Sequence, residues 1–389
     1  MWDPETALDL HIVLRSGRYL RLSFCWSVDV SPHDFATVAV IDGAAIRVTP
    51  FGKFVIPPPM AKLSIATSAP VNQVAWSKDG RLAALLHNNT IATFTIADDG
   101  WKNDQVLAAE SLPSDSIVYR IAWNGDGGLT AVLAKANWTL ISMRLDANAW
   151  RIQDTLHTSD VPIIANCAVK DGHYLQLTNG DWLQRRNDST TPFEPMLDEG
   201  QAVRFRSPNC FSCAVVVVDD VAKAIGLAST YQLYVNNKEL ATNVNSFAIH
   251  DEFVLVTTLA HQLHCIELKS LREAGELSLG AGRAVERGSR LVCACAASTR
   301  VILQMPRGNL EAIDPRPLVL HALKRLIDER MYLQALMCMK RHRINMNLLY
   351  DHDPQKLTEN MAEFVEKISD PLLLNLFLMD LVDDDTTRS

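Results

Sequence analysis

Two stretches of the chain repeat one pattern of apolar and polar positions. Residues 70–96 (PVNQVAWSKDGRLAALLHNNTIATFTI) and 116–145 (SIVYRIAWNGDGGLTAVLAKANWTLISMRL) each contain three short runs in which apolar and polar residues alternate. Trp76 and Trp123 hold the same position in the two stretches, 47 residues apart. Alternation with a period of two is typical of half-buried strands, and the turn residues between the runs favour hairpins. Each stretch therefore predicts a set of antiparallel strands.

Weaker copies of this pattern recur at a similar spacing along the first 315 residues. They are residues 166–186, 223–240, 246–268 and 290–313, and residues 11–26 with 36–51 are predicted to form one further hairpin set. About seven units of roughly 40–50 residues match the blades of a WD40-like propeller. The sequence therefore predicts a mainly β fold, a seven-bladed WD40-like β-propeller over residues 1–315. Its tryptophans, such as Trp76 and Trp123, are interpreted as packing between blades.

The hydrophobic period changes from 2 to 3.6 near residue 316, and the pattern predicts α-helical hairpins over residues 316–389. The predicted buried stripes are Val319, Leu323, Leu326, Ile327; Met331, Ala335, Leu336, Met339; Leu357, Met361, Phe364, Ile368; and Leu374, Phe377, Leu378, Leu381. Asp353-Pro354 and Asp370-Pro371 each combine an N-cap residue with proline at the first helical position. Paired antiparallel helices of this kind form the start of an α-solenoid. Because a terminal repeat needs a polar outer face, we expect more helices to follow in the intact protein.

Composition and charge narrow the class of protein. Hydrophobic residues make up 48% and charged residues 21%, as in ordinary globular proteins, and the net charge of −8 disfavours a chain coated with nucleic acid along its whole length. Neither a signal peptide nor an apolar run of about 20 residues is present, so no membrane contact is expected. The expected location is the cytoplasm, with the nucleus as a second compartment.

Motifs that carry chemistry are missing from the sequence. There is no P-loop, dinucleotide-binding glycine motif, zinc-protease motif or nucleophile elbow. Cys210 and Cys213 form a C-x-x-C without a second pair, so a zinc site is not expected. His261 and His264 are interpreted as turn and surface histidines. We therefore predict a non-enzyme without catalytic, cofactor-binding or metal-binding residues.

Basic side chains gather in the predicted helices. Residues 317–352 contain six lysines and arginines and three acidic residues, a net charge of +3. Lys340, Arg341 and Arg343 are clustered within four positions. One interpretation is a solvated helix face, and the other is a contact with tRNA phosphates or with a partner protein.

The stretch CMKRHRINMNLLYDHDP (338–354), which follows LQMPRGNLEAI (303–313), resembles the junction in the largest, scaffold subunit of the Elongator complex. Shorter patches in the same order resemble that family too: WDP (2–4), VAVIDG (38–43), PPPM (57–60), PVNQV (70–74), NVNSFAIHDEFVLVTT (243–258) and RGSRLV (287–292). The resemblance implies a fragment that covers the family's second propeller and the start of its helical solenoid. It also implies that residues 341–354 are the hinge between them. From the residues themselves, the apolar side chains Ile344, Met346, Leu348 and Leu349 are expected to pack a helix against the propeller wall, and Asn345 and Asn347 are expected to satisfy buried backbone groups at the junction.

The resemblance carries functional expectations. Members of the family hold the complex together and position a catalytic subunit that combines a radical S-adenosylmethionine domain with an acetyltransferase-like domain. The assembly installs carboxymethyl-type groups at carbon 5 of wobble uridines in tRNA. The resemblance therefore implies a scaffold whose partners are other Elongator subunits, whose contact with tRNA is indirect or weak, and which dimerises through regions that this chain lacks.

Two other interpretations share parts of the pattern. A propeller-solenoid scaffold of a vesicle coat or of the nuclear pore would have the same architecture without the 338–354 stretch. A propeller enzyme would need charged residues at matching positions of its inner strands, and the repeats show none.

Overall fold

Strands fill the first part of the chain and helices the last part. The computed structural model describes residues 1–383 apart from gaps at 3–8, 24–27, 31–35, 53–60, 78, 98–99, 108–111, 114, 125–126, 147–148, 170–171, 187–190, 208–209, 273–278, 280–281 and 296–297. The chain divides into two compact units, Met1–Ile313 and Asp314–Ser389. The division lies two residues before the predicted boundary.

The first unit is a seven-bladed propeller, and its first four blades are four-stranded antiparallel sheets. Blade 1 contains β3 (Val28–Val30), β4 (Thr37–Asp42), β5 (Ala45–Pro50) and β6 (Leu63–Ala66); blade 2 contains β7 (Val71–Trp76), β8 (Leu82–Leu86), β9 (Ile91–Ala97) and β10 (Gly100–Leu107). Blade 3 contains β11 (Ile117–Trp123), β12 (Leu129–Ala134), β13 (Trp138–Asp146) and β14 (Ala149–Ser159); blade 4 contains β15 (Ile163–Val169), β16 (Gly172–Leu177), β17 (Trp182–Arg186) and β18 (Glu194–Pro195).

The last three blades complete the ring. Blade 5 contains β21 (Cys210–Val218), β22 (Val221–Ala228), β23 (Leu233–Val235) and β24 (Lys238–Ala241); blade 6 contains β25 (Val244–Ile249), β26 (Phe253–Thr258), β27 (Gln262–Glu267) and β28 (Arg283–Ala284), with a 3₁₀ helix at Leu268–Arg272. Blade 7 has three strands, β29 (Arg290–Ala294), β30 (Val301–Gln304) and β31 (Leu310–Ile313). A two-stranded hairpin, β19 (Leu197–Asp198) and β20 (Gln201–Ala202), connects blades 4 and 5.

One predicted strand set was wrong. Among the described residues, 11–26 and 36–51 do not share a sheet: β1 (Asp9–Val13) and β2 (Tyr19–Ser23) form a two-stranded sheet, whereas β4 and β5 belong to blade 1. The reason is that β3 pairs with β4 and supplies the first strand of blade 1, so the earlier hairpin is left outside that sheet.

The repeated tryptophans pack between blades, as predicted. Trp76 and Trp123 are both buried. The indole Nε1 of Trp123 donates to the Ala75 carbonyl on the neighbouring blade over 2.9 Å. Gly80 and Gly127 have φ values of 82° at the turns that follow these tryptophans, a conformation that favours glycine. The 47-residue spacing is therefore the spacing of whole blades.

Side-chain amides tie the first strands of neighbouring blades together. Gln73 on β7 donates through Nε2 to the Ile121 carbonyl of β11 and accepts the Ile121 amide at Oε1, both over 2.9 Å. Asn245 on β25 donates to the Ser289 carbonyl over 2.9 Å, and the adjacent Ser246 Oγ accepts the Leu291 amide of β29 over 2.7 Å. Such bonds satisfy strand backbone groups that face the next blade.

The ring closes where blade 7 meets blade 1, and β29 lies beside β3. A buried apolar cluster joins the two blades, here called the closing cluster: Ala36, Val38, Phe51, Cys293, Cys295 and Ile302. Arg300 Nη1 donates to the Phe51 carbonyl over 2.6 Å across the same boundary. Within the described residues, neither blade lends a strand to the other, so side-chain packing closes the ring.

Six helices lie in the described part of the second unit, residues 314–383. They are α1 (Arg316–Asp328), α2 (Tyr332–His342), α3 (Leu348–Asp351), α4 (Pro354–Glu359), α5 (Met361–Lys367) and α6 (Pro371–Asp380). Both predicted N-caps are confirmed: Asp353 accepts the Lys356 amide and Asp370 accepts the Leu372 amide, each over 2.9 Å. One core runs through the unit and is centred on Leu323, Leu336 and Phe364.

Some predicted helical positions were wrong. Asn360, whose amide hydrogen-bonds the Lys356 and Leu357 carbonyls, separates α4 from α5, where a single helix was expected. Met331, Met361, Leu378 and Leu381 are exposed, and Leu373 joins Phe377 in the core of the unit. On α6 nearly every residue is apolar, so the 3.6 period could not identify the buried face.

Ile302 tests whether the closing cluster holds the propeller together, because it is fully buried there. We expect Ile302→Ala to lower the free energy of unfolding by about 2–5 kcal/mol through lost burial and a residual cavity. Urea unfolding followed by tryptophan fluorescence measures the change. Val221→Ala, at an exposed position of β22, is the control and should shift the free energy by less than about 0.5 kcal/mol. Equal effects of the two changes would show that another contact closes the ring.

Candidate interaction surface

Helix α2 carries two of the three basic residues that the sequence predicted as a contact. Its inner side is formed by Tyr332, Ala335, Leu336 and Met339, which are buried in the core of the helical unit. Their spacing of three and four residues leaves one face of the helix outward. The fold of this segment therefore fixes which side chains of α2 can meet a partner.

The structure brings Lys340, Arg341 and Arg343 together at the C-terminal end of α2, and all three are exposed. Arg343 ends the helix with a left-handed φ of 53°, and the amide of the following Ile344 donates to the Met339 carbonyl over 2.9 Å. Basic side chains at this end also interact favourably with the helix dipole. The three residues are called the basic cluster below.

Several other polar side chains of the helical unit contact neighbouring carboxylates. Arg330 and Lys367 both bind Glu363, at 3.3 Å and 2.6 Å. His352 Nε2 lies 2.9 Å from a carboxylate oxygen of Asp328. The basic cluster makes no such ion pair with a described residue, and the sequence from 331 to 350 contains no aspartate or glutamate. Its positive charge is therefore locally uncompensated.

The stretch that follows the basic cluster lies inside the helical unit, Asp314–Ser389, so the hinge between the units was predicted too far along the chain, while its packing against the propeller wall stays a prediction. Ile344, Met346, Leu348 and Leu349 are buried in the same core as α1 and α2. The apolar spacing was interpreted correctly as packing, but a single sequence does not indicate which neighbour an apolar side chain meets.

Asn347 explains why this stretch holds its shape. It is fully buried, and its Nδ2 donates to Asp351 over 2.9 Å while its Oδ1 accepts the Val382 amide over 3.2 Å. Asn345 Oδ1 in turn accepts the Asn347 amide over 2.9 Å, and Asp380 accepts the Met346 amide over 3.1 Å. The prediction that these asparagines satisfy backbone groups is therefore confirmed.

Sequence reasoning missed two residues of the outward face of α2. Leu333 and Met337 are 41% and 53% exposed, although both are apolar. The predicted buried stripe of α2 already left both residues out, but it also left out Tyr332, which is buried, so the sequence pattern did not single out the exposed pair. Single exposed apolar residues are common on protein surfaces, but these two are one helical turn apart.

The described histidine and cysteine residues are not arranged as a catalytic or metal site. His264 is buried in β27 with Nδ1 2.9 Å from the Leu279 carbonyl, so its prediction as a surface histidine was wrong: the turn ends before β27 begins. Burial raises the pKa of Cys167 to about 11 and that of Cys265 to about 12, which keeps both thiols protonated and poorly nucleophilic. Across the described ranges, no three His, Cys, Asp or Glu side chains are arranged to hold a metal ion.

None of the described helices has the length and apolar character needed to cross a membrane.

Two family models match the chain in consecutive order. The model described as the ELP1 N-terminal second beta-propeller matches residues 40–292, and the model described as the ELP1 alpha-solenoid matches residues 316–389. The first match covers more than half of the chain.

Curated relatives extend this likeness over the whole chain. Elongator complex protein 1 of Rattus norvegicus is 31% identical over 450 residues, covering 100% of this chain and 33% of the relative. The protein of the same name from Saccharomyces cerevisiae is 28% identical over 425 residues, covering 100% of this chain and 31% of the relative. The chain therefore spans about a third of the length of these relatives.

A solved structure supports the fold alone. The β-propeller domain of Cps50 (Swd1) from Myceliophteria thermophila aligns with a TM-score of 0.50 at 11% identity, covering 75% of this chain and 97% of that domain.

Asn347→Ala tests the role of the buried amide. Its removal leaves the Val382 amide without its acceptor and should cost about 1–3 kcal/mol of local stability. We expect faster hydrogen exchange in residues 348–351 and 371–382, measured by mass spectrometry on the whole chain. Asn375→Ala, at an exposed position of α6, should leave exchange unchanged. If the two variants exchange alike, the amide does not hold the segment.

Proposed function

The chain belongs to the Elongator complex protein 1 family, and we propose that it is a non-catalytic scaffold within an Elongator complex. The observation that carries the proposal is the consecutive match of the propeller model and the solenoid model along one chain. Stacked repeats of strands or helices present extended surfaces on which partners can assemble. A scaffold role requires such surfaces and needs no reactive side chain.

The proposed partners are other Elongator subunits, among them the catalytic subunit with radical S-adenosylmethionine and acetyltransferase-like domains. In this proposal the chain helps to position that subunit for modification of carbon 5 of the tRNA wobble uridine. Contact with tRNA is indirect or weak, no cofactor is bound, and the full-length protein dimerises through other regions. The proposed location is the cytoplasm, with the nucleus as a second compartment.

The basic cluster is the proposed contact of this chain with tRNA or with a partner. Its support is physical: Lys340, Arg341 and Arg343 are exposed, adjacent and without a described carboxylate partner. In an acidic chain, such a local excess of positive charge attracts phosphates or carboxylates of a binding partner.

A tagged pull-down of the full-length gene product, with co-purifying proteins identified by mass spectrometry, tests the scaffold proposal. We expect the other Elongator subunits, including the radical S-adenosylmethionine subunit, in stable ratios to the tagged protein. Recovery of vesicle-coat or nuclear-pore proteins instead, from folded and expressed material, would contradict the proposal.

The basic cluster is tested by changing Lys340, Arg341 and Arg343 together to alanine. We expect the triple variant to lose about tenfold in affinity for tRNA or for the partner subunits at low salt, because three charges leave the interface. The loss should shrink as the salt concentration rises. Filter binding to tRNA and quantitative pull-down measure the two affinities separately. Unchanged values in both assays would show that the cluster is only a solvated helix face.

A further inference from the structure

The outward face of α2 combines apolar and basic side chains in consecutive turns. Leu333 and Met337 are four residues apart, and Lys340 and Arg341 follow three and four residues after Met337. Residues at these intervals lie on the same side of a helix, with about 5.4 Å between turns. The outer face of α2, defined by these four residues, is therefore a strip with an apolar half and a basic half.

The helix dipole explains only the basic half. Lysine and arginine in a last turn are stabilising without any partner, so Lys340 and Arg341 alone would carry no inference. Leu333 and Met337 are uncharged, so the helix dipole does not stabilise them, and they are 41% and 53% exposed. Covering both apolar side chains is favourable, at about 25 cal/mol for each Å² removed from water. A partner that covers the whole strip uses both halves.

The chemistry of the strip favours a protein partner over RNA. Phosphates would engage Lys340 and Arg341 and leave the apolar half in water, and single-stranded RNA is bound through aromatic stacking, which leucine and methionine do not offer. An amphipathic helix places apolar anchors at intervals of three and four residues, which fits Leu333 and Met337. Acidic residues one or two turns along that helix would meet the basic half.

We propose that the outer face of α2 docks an acidic amphipathic helix of a partner subunit. Charge complementarity supports this occupant, because residues 331–350 contain no acidic side chain while the whole chain has a net charge of −8. Opposite charges at the rim align such a helix and accelerate its association. The inference rests on the proposed function, since it takes the partner to be a subunit of the same complex.

Site-specific photocross-linking tests the contact in the assembled complex. The tagged full-length protein carries p-benzoylphenylalanine in place of Met337, is purified with its partners and is irradiated. We expect one partner subunit to be linked through a segment in which leucine, isoleucine or methionine alternate at helical spacing with aspartate or glutamate. Links to RNA, to a second copy of the chain or to nothing, with the complex intact, would overturn the docking proposal alone. Failure to recover any partner subunit would overturn the proposed function and this inference together.

Peptide binding then tests both halves of the strip. The probe is a synthetic peptide of the cross-linked segment, labelled for fluorescence anisotropy with the purified chain. We expect Leu333→Glu with Met337→Glu, and separately Lys340→Glu with Arg341→Glu, to weaken binding at least tenfold. A peptide with lysine in place of its acidic residues should regain affinity for the second variant.

The control pair is Lys269→Glu with Arg287→Glu. It changes the net charge by the same amount as Lys340→Glu with Arg341→Glu, at exposed positions of the propeller unit. It should leave peptide binding unchanged. Circular dichroism and the exchange pattern of residues 316–342 verify that each variant is folded. Equal weakening by the control pair would show that net charge alone binds the peptide, and unchanged binding by both strip variants would overturn the docking face.

Discussion

The packing between the last and first blades is the interaction on which the propeller depends. Each of the other blades packs on neighbours that adjoin it in sequence, so short connections hold them together. Blades 7 and 1 are about 250 residues apart along the chain: Arg300 bonds the Phe51 carbonyl across a separation of 249 residues. Fixing that contact costs more chain entropy than any other blade contact. The closing cluster offsets this cost by removing apolar side chains from water.

The difference between contacts of adjacent blades and the contact that closes the ring explains which features could be predicted from the sequence. Trp76 and Trp123 lie in contacts between adjacent blades, so the repeat appears in the sequence as a 47-residue period. The closing cluster produces no repeated spacing in the sequence, because it joins the first and the last blade of the propeller. Residues 11–26 were grouped with 36–51 in one hairpin set because alternation marks a strand but does not identify its partner.

In the helical unit, too, local side-chain contacts could be predicted from the sequence and long-range ones could not. Helix N-caps were predictable because Asp353 and Asp370 act on their own first turns. The two amide contacts of Asn347 reach Asp351 and Val382, and only the first lies within a helical turn of it. The buried face of α6 was not predictable, since a helix that is apolar on all sides carries no periodic signal. The family resemblance of residues 338–354 thus marked the segment as important. Its long-range contact, the hydrogen bond from the Val382 amide to Asn347, became visible only in the structure.

The structure also distinguishes side chains that contact a carboxylate of the same unit from exposed basic side chains that a partner could bind. Arg330 pairs with Glu363 of α5 and His352 Nε2 contacts Asp328 of α1, whereas Lys367 pairs with Glu363 within α5. Lys340 and Arg341 share an outward face with Leu333 and Met337. The exposure of these two apolar side chains does not stabilise the folded chain. A helix that needed only to pack could carry glutamine or glutamate at those positions, with equal helix propensity and better solubility. The combination of unneutralised charge and unburied apolar surface on one face is what distinguishes a docking helix from one that is merely solvated.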